Sequence, residues 1–174
     1  FANSKEDSIK IGTQIINEFG DLFKYEWLKM MKNKFGLIDN HSEDEKLIFK
    51  FLDWMEKNMA DYTNTFLYLM NHKIPQEEIY KNSSFLDIYN EWSKRINQSN
   101  ISKKVIKKIM QSNNPFIIPR NHIVERVINN AIENNDFKNY NKLLNLLKNP
   151  YKKINNIEEY QIPASLEFTK KYQT

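Results

Sequence analysis

Two kinds of residue in this chain of 174 could carry out acid–base or metal chemistry. Adjacent carboxylates, which can serve as general acid and base, occur at Glu43-Asp44-Glu45, Glu77-Glu78 and Glu158-Glu159. Each group lies near a predicted helix start or in the C-terminal tail, where capping and solubility explain acids better than catalysis does. The histidines are His41, His72 and His122; they fall in different predicted elements and lack the spacing of metal ligands. We predict no catalytic, cofactor-binding or metal-binding residue in this chain.

A charged cluster follows Pro119. Arg120, Asn121 and His122 are predicted to lie in the first turn of a helix, where they could bind a phosphate or an acidic ligand. Residues of these types more often hold a neighbouring loop by hydrogen bonds to its carbonyl groups. We favour that structural interpretation, because a motif needs confirming geometry.

The net charge of +4 comes from one predicted helix, Ile101–Ser112. Its lysines occupy one face and have no acid among them; they are Lys103, Lys104, Lys107 and Lys108. Such a face could bind nucleic acid. Because the patch lacks interleaved aromatic residues, a solvated helix face is the better interpretation, and nucleic acid is an unlikely partner.

The amino-acid composition limits the possible fold classes and the possible cellular locations of the protein. With 40% hydrophobic residues the chain can form a core, and with only 3 Gly it favours an all-α fold. No apolar run approaches the roughly 20 residues of a membrane span. Since Cys is absent, disulfides and thiol catalysis are excluded within this chain. The lack of export features predicts a bacterial cytoplasmic protein, with a mitochondrial location as the alternative.

Periodicity predicts a series of helices. We expect helices over Asp7–Phe19 and Asp21–Phe35, separated by Gly20. Ser42 and Glu45 predict a capping box for the next helix, which ends near Met59. The further expected features are an N-cap at Asp61, a short turn after Pro75 and a helix capped by Ser83 or Ser84.

The stretch Asn114–Tyr151 predicts a helical hairpin. Pro119 fits the first turn of its first helix, and Asn149-Pro150 ends its second. Residues 134–136 form the hinge between the two helices. Residues 151–174 lack a sustained period but contain several aromatic side chains, so we expect an extended tail that packs on the helices. Residues 1–174 are predicted to form a single helical region.

Several of these segments carry recognisable motifs. Asn114–Tyr151 has an NP-x-x-x-x-RN lead-in, an apolar helix, an Asp-aromatic hinge and a Leu-rich helix that ends at Pro-aromatic. Trp27–Leu37 fits W-L-x-x-M-x-x-K-x-G-L, Asp61–Leu69 begins with DYT-x-x-F, and Phe85–Ile96 is an aromatic-rich helix. The chain ends in KKYQT at Lys170–Thr174. In this order the motifs resemble the C-terminal part of the selenoprotein O family, and its matching positions are Asn114, Pro115, Arg120, Asn121, Glu125, Asp136 and Pro150.

The resemblance implies a function for a larger parent protein. Selenoprotein O proteins resemble protein kinases but transfer AMP from ATP to protein hydroxyl groups, with a bound divalent metal. The resemblance therefore implies ATP and Mg in the parent, protein substrates, and a kinase-like N-terminal part as the partner of this segment. Because the family's nucleotide-binding and metal-binding motifs have no match here, the seven positions listed above are expected to be structural. We expect the Asn114–Asn121 lead-in and the tail to pack against the kinase-like part.

Two alternatives stay open at the level of sequence. The chain could be a helical protein-interaction module that acts alone. Less favoured is a basic helical domain that binds nucleic acid.

Overall fold

The computed structural model describes residues 4–171, and within that range the chain forms helices and loops without a strand. The α-helices are α1 (Lys5–Phe35), α2 (Asp44–Lys57), α3 (Tyr62–Met70), α4 (Ser83–Asn97), α5 (Lys103–Asn113), α6 (Asn121–Asn134), α7 (Lys138–Leu147), α8 (Glu158–Gln161) and α9 (Leu166–Lys171). A 3₁₀ turn, Glu78–Tyr80, lies between α3 and α4. The predicted all-α class is confirmed.

Aromatic side chains from four helices form the centre of the core. The ring of Phe35 in α1 contacts Phe51 of α2 and Phe66 of α3, with centroids 5.1 and 4.8 Å away. Trp92 of α4 is fully buried, and its indole Nε1 donates a hydrogen bond to the carbonyl of Phe35 at 2.9 Å. This bond satisfies the polar atom of a buried tryptophan and also a carbonyl at the C-terminus of α1.

Gly36 ends α1 in a left-handed conformation, with φ of 74°. Its N–H donates to the carbonyl of Asn33, and the N–H of Leu37 donates to that of Lys32. Helix α5 crosses close by, since a Cβ on Gly36 would lie 2.7 Å from Ile106 Cγ2 and 2.9 Å from Met110 Sδ. Both the backbone angle and the close approach therefore require glycine.

The predicted break at Gly20 is wrong, because α1 is one continuous helix. A single exposed glycine costs a helix only about 1 kcal/mol relative to alanine. Gly20 keeps helical geometry, and nothing within 4 Å would meet an added Cβ. Gly36, in contrast, does end the helix, and α5 packs closely against it.

Three predicted helix starts also need correction. The Ser42–Glu45 capping box does not form: α2 begins at Asp44 without a side-chain cap, and Glu45 pairs with Lys24 at 3.2 Å. Helix α4 is capped by Asn82, whose side chain accepts from the N–H of Phe85, so Ser83 and Ser84 lie inside the helix. Helix α6 begins at Asn121, and Arg120 is its N-cap, which places Pro119 just before the helix.

The hairpin and the tail follow the prediction in part. Helices α6 and α7 pack on each other, and Asn135 forms the link in a left-handed conformation. The region after Pro150 is not simply extended, since it contains α8 and α9. It does pack on the helices, because Ile157 and Tyr160 are buried. The last three residues of the KKYQT motif, 172–174, lie outside the described range.

Two glycine substitutions should have opposite effects. Gly36→Ala should lower the free energy of unfolding by more than about 1 kcal/mol, because it forces alanine into a positive φ and against α5. Gly20→Ala should raise the helical circular dichroism signal without lowering that free energy, since alanine favours the helix there. Urea unfolding of both variants measures the difference. Equal destabilisation by the two changes would contradict the assigned roles.

Candidate functional site

The side chain of Asn114 joins the C-termini of two helices. It is buried, and its amide donates to the carbonyls of Lys34 in α1 and Met110 in α5, both at 2.9 Å. Its carbonyl oxygen accepts from the Lys34 ammonium at 3.1 Å. These bonds satisfy carbonyl groups that have no partner inside their own helices.

The Lys34 ammonium is held in the same corner. It donates to the carbonyl of Asn113 at 2.9 Å and lies 4.9 Å from the centroid of the Phe66 ring. Burial lowers the pKa of this amine. The cation–π contact and the carbonyl bonds compensate for lost hydration, so the charge serves packing rather than solvent contact.

The backbone after Pro115 connects the lead-in to the end of the hairpin. The N–H of Phe116 donates to the carbonyl of Pro150 at 2.7 Å. The carbonyl of Phe116 accepts from the side-chain amide of Gln161 in α8 at 2.8 Å. Pro115 and Pro150 therefore lie in two neighbouring loop segments, and each proline limits the backbone conformation of its own segment.

Arg120 forms a two-pronged ion pair with Asp61. Its Nη1 lies 2.6 Å from Asp61 Oδ2 and its Nη2 lies 2.9 Å from Asp61 Oδ1. The side chains are only 8% and 17% exposed. Asp61 also caps α3, since its Oδ1 accepts from the N–H of Asn64 at 2.8 Å. The predicted N-cap is confirmed, and the carboxylate has a second role as the partner of Arg120.

Asn64 extends this arrangement to the tail. Its Oδ1 accepts from Arg120 Nη2 at 3.3 Å, and its amide donates to the carbonyl of Gln161 at 3.0 Å. The residues joined by these bonds form what we call the lead-in network; they are Asp61, Asn64, Phe116, Arg120, Pro150 and Gln161. Asp61 neutralises the charge of Arg120 through its Nη atoms, although Arg120 Nε is buried without a hydrogen-bond partner among the described residues. This geometry favours the structural interpretation over an anion site.

Several apolar side chains of the lead-in and the tail are buried within this chain. Phe116 and Ile117 are buried, as are Ile157 and Tyr160. Tyr151 and Ile162 of the tail are 48% and 59% exposed, so the expected packing of these segments against a kinase-like part stays a prediction.

The remaining motif positions are less tightly held. Asn121 is exposed and Glu125 half-buried, and the side chain of neither has a hydrogen-bond partner among residues 4–171. Asp136 links the hairpin: its carboxylate accepts from the N–H of Lys138 at 2.9 Å and from the amide of Asn130 at 3.3 Å. Both contacts of Asp136 lie within the hairpin, between the end of α6 and the start of α7.

His122 lies beside the lead-in network with its ring 5.6 Å from that of Phe168. Burial lowers its pKa, and the charges of Arg120 and Arg126 add to the effect, while a hydrogen bond with the backbone of Ile162 opposes it. The neutral imidazole is therefore the form that the fold favours.

A second polar cluster was not foreseen. Arg95 Nε donates to Asp44 Oδ1 at 2.8 Å, and Arg95 Nη2 donates to Asp39 Oδ1 at 2.9 Å. Although burial raises the pKa of Asp39, hydrogen bonding and the charge of Arg95 outweigh it and leave that pKa below its usual value. Asp44 is 1% exposed, so its assignment to capping and solubility is wrong. The sequence contains one indication of this cluster, because Arg95 follows Trp92 by one helical turn on an otherwise apolar face.

The other acidic pairs do not form an acid–base site. Glu77 accepts a hydrogen bond from the hydroxyl of Tyr68 at 3.1 Å, at the edge of a cavity that Lys73 and Gln161 also line. Burial raises the pKa of Tyr68, and the Glu77 charge raises it further. Tyr68 is therefore a hydrogen-bond donor and not a base. Glu78 and Glu159 each pair with an exposed lysine.

The lysines of α5 are all exposed, as predicted for a solvated face. On the opposite side, Ile106 and Met110 are buried against α1. Across residues 4–171, no three histidine or acidic side chains lie together in a way that could hold a metal ion. These residues therefore do not fit the Mg that the family resemblance implies. The same part of the chain has no helix with the length and apolarity to cross a bilayer.

Comparison with known proteins identifies the family to which this arrangement belongs. The model of the family described as protein adenylyltransferase SelO matches residues 7–148. The chain belongs to the protein adenylyltransferase SelO family. The resemblance drawn from the motifs is thereby confirmed.

Curated SelO-family relatives support this membership. The chain is 38% identical over 173 residues to the protein nucleotidyltransferase YdiU of Pelagibacter ubique. This alignment covers 99% of the chain and 35% of the relative. The YdiU protein of Clostridium perfringens is 37% identical over 155 residues, which make up 89% of this chain and 31% of the relative. That of Bacillus cereus is 38% identical over 161 residues, with 92% and 33% covered. The chain thus spans about a third of the length of these relatives.

The ion pair of Arg120 and Asp61 should dominate the stability of the lead-in network. Arg120→Met should lower the free energy of unfolding by about 3 kcal/mol, because it leaves a largely buried carboxylate without its partner. Asp61→Asn keeps the helix cap but removes the charge. The double variant should lose less than the two single losses added together, by about 0.5–3 kcal/mol.

A matched control for this cycle is the exposed pair of Lys57 and Asp53, which are 2.8 Å apart. Lys57→Met should change the free energy of unfolding by less than about 0.5 kcal/mol. Urea unfolding measures all four variants. Additive losses at Arg120 and Asp61, or a loss as large at Lys57, would contradict the role given to the buried pair.

His122 should make stability depend on pH near neutrality. Because its pKa is lowered in the folded state, the unfolded chain takes up the proton first as the pH falls. The free energy of unfolding should therefore decline as the pH drops below about 6.5 and level off below the folded-state pKa. His122→Gln should flatten this decline in urea unfolding at pH 7.5, 6.5 and 5.5 (roughly the range that spans the histidine pKa).

The flattening should be partial, because burial and the charges of Lys103 and Lys107 also lower the pKa of His72. His41→Gln, which replaces an exposed histidine, serves as the control. If His122→Gln and the unaltered chain showed the same pH dependence, the assignment of a neutral, half-buried imidazole would be wrong.

Proposed function

We propose that this chain is the C-terminal helical part of a parent protein that transfers AMP from ATP to hydroxyl side chains of proteins. In this proposal the parent carries its catalytic groups in a kinase-like N-terminal part, where ATP and Mg bind. The chain itself stabilises that part and does not contact the nucleotide. The parent acts in the bacterial cytoplasm on protein substrates.

The proposal is supported above all by the contacts that the family-motif side chains make inside this chain. Asn114 bonds to two helix C-termini, and Arg120 is neutralised by Asp61. Side chains committed in this way are not available to a triphosphate. Catalytic groups must be held to within about 0.5 Å by a rigid surrounding shell, which is the contribution that such a network can make.

Family membership and length support the same proposal. The matching family is described as a protein adenylyltransferase, and the chain spans about a third of its curated relatives. A fragment of that proportion leaves room in the parent for a separate catalytic part. The relatives named here come from bacteria.

The position of the label in ATP tests the reaction. The full-length parent should transfer radioactivity to protein from ATP labelled at the α-phosphate and not from ATP labelled at the γ-phosphate, because AMP retains only the α-phosphate. The 174-residue chain alone should transfer neither label. Label from the γ-phosphate would indicate a kinase, and α-label transferred by the 174-residue chain would contradict a purely supporting role.

A variant in the parent tests the supporting role. Arg120→Met should reduce AMP transfer through loss of folded protein, so the remaining activity should fall further on mild heating while KM for ATP stays unchanged. The control is Lys57→Met, which should alter neither quantity. A raised KM for ATP in Arg120→Met would mean that this residue contacts the nucleotide.

A further inference from the structure

The first half of α1 presents large apolar side chains to solvent. Residues 4–26 are exposed apart from Gly12, and among the described residues none of the other helices packs over residues 9–23. The exposed apolar residues here are Ile9, Ile11, Ile15, Ile16, Phe19, Leu22 and Phe23. Ile16 is 73% exposed and Phe19 65%. We call residues 9–23 the α1 apolar face.

The spacing of these residues is that of a helix that faces a core. With Ile9 at heptad position a, Ile16 and Phe23 also fall at a, and Phe19 falls at d. Ile15 and Leu22 fall at g and widen the stripe. A stripe over a, d and g is typical of a helix packed on a globular body, whereas a coiled-coil seam uses a and d alone. The width therefore favours a folded partner over a second copy of the same helix.

Gly12 lies at the remaining d position, in the middle of the α1 apolar face. Nothing within 4 Å would meet a Cβ at this position, so none of the described residues requires glycine there. A glycine inside a helix costs stability relative to alanine. Close approach of a partner's backbone is one physical reason for a glycine at such a site.

The other half of α1 is fixed to the body of the chain. Met31 and Phe35 are buried, and Trp27 stacks on Phe49 with ring centroids 5.3 Å apart. The α1 apolar face is thus a continuation of a firmly held helix. At 1.5 Å per residue, about 20 free residues extend roughly 30 Å from that anchor.

We propose that the α1 apolar face docks on the catalytic part of the same parent polypeptide and so fixes the orientation of the two parts. This inference rests on the proposed function, because it takes the remaining two thirds of the parent as the partner. Relatives of which this chain covers only 31% to 35% supply the length of polypeptide that a globular partner needs. Among the described helices, α1 carries the most exposed large apolar side chains, so we take it as the docking element.

Cysteine labelling tests the docking, because the chain has no cysteine of its own. Phe19→Cys places a thiol at the centre of the α1 apolar face, and Gln14→Cys places one on the polar side of the same helix. Each variant is made in the 174-residue chain and in the full-length parent. A maleimide reacts with both, and peptide mass spectrometry reads the label at the introduced cysteine.

In the 174-residue chain the two thiols should react at similar rates. In the parent, Phe19→Cys should react at least about tenfold more slowly, because labelling then requires local opening, whereas Gln14→Cys should be unchanged. Ile16→Cys repeats the measurement in case loss of the Phe19 ring itself weakens docking. Equal reaction of the apolar-face and polar-face thiols in the parent, for both Phe19→Cys and Ile16→Cys, would overturn the proposal.

Two further outcomes have separate meanings. If Phe19→Cys were protected in the 174-residue chain and dilution removed that protection, with a dimer in sedimentation, the partner would be a second copy and the docking proposal would be wrong. AMP transfer is measured on the same parent samples. Protection without transfer would sink the proposed reaction and leave the docking intact, while transfer without protection would do the reverse.

Discussion

The ion pair between Arg120 and Asp61 holds together segments that are far apart in the chain. Asp61 caps α3, and Arg120 precedes α6, so one pair of side chains fixes two helix N-termini with respect to each other. Asn64 carries the connection on to Gln161 in the tail. Because both charges are largely removed from water, the pair depends on the hydrogen bonds that its guanidinium Nη atoms and carboxylate oxygens make. The position of the hairpin and the packing of the tail both depend on these hydrogen bonds.

Apolar side chains are divided between two purposes in this chain. The aromatic residues of α2, α3 and α4 fill a core around Phe35 and Trp92. The α1 apolar face carries a similar density of large side chains and covers nothing among residues 4–171. Exposed apolar area of this extent is characteristic of a surface that another body covers. The chain thus has its own core and, in our proposal, also supplies a helix to the core of a larger protein.

Features that depend on residues close together in the sequence could be predicted, whereas features that depend on contacts between distant residues could not. Helix periodicity located most of the helices, and the N-cap at Asp61 followed from residue type alone. Gly20 and Gly36 are indistinguishable as residue types, and only the approach of α5 makes the second a helix end. Asp44 was misassigned for the same reason: its partner Arg95 lies on another helix, and single-sequence reasoning has no access to that contact.

The motif residues illustrate the same limit. Asn114, Arg120 and Pro150 were recognised as a family signature and assigned a structural role. The partners of Arg120 and Asn114 could not be named, because Asp61 and Lys34 lie far from them in sequence. Phe116 and Tyr160 are buried within the chain, but apolar composition alone does not say which body an apolar segment contacts.

Amide hydrogen exchange of the 174-residue chain and of its parent tests the central claim most directly. We expect α3 and α6 to exchange slowly in both proteins, because their interactions lie within this chain. Residues 8–25 should exchange rapidly in the 174-residue chain and slowly in the parent, where the α1 apolar face is covered. Equal exchange of residues 8–25 in the two proteins, or loss of protection in α3 and α6 without the parent, would contradict the account.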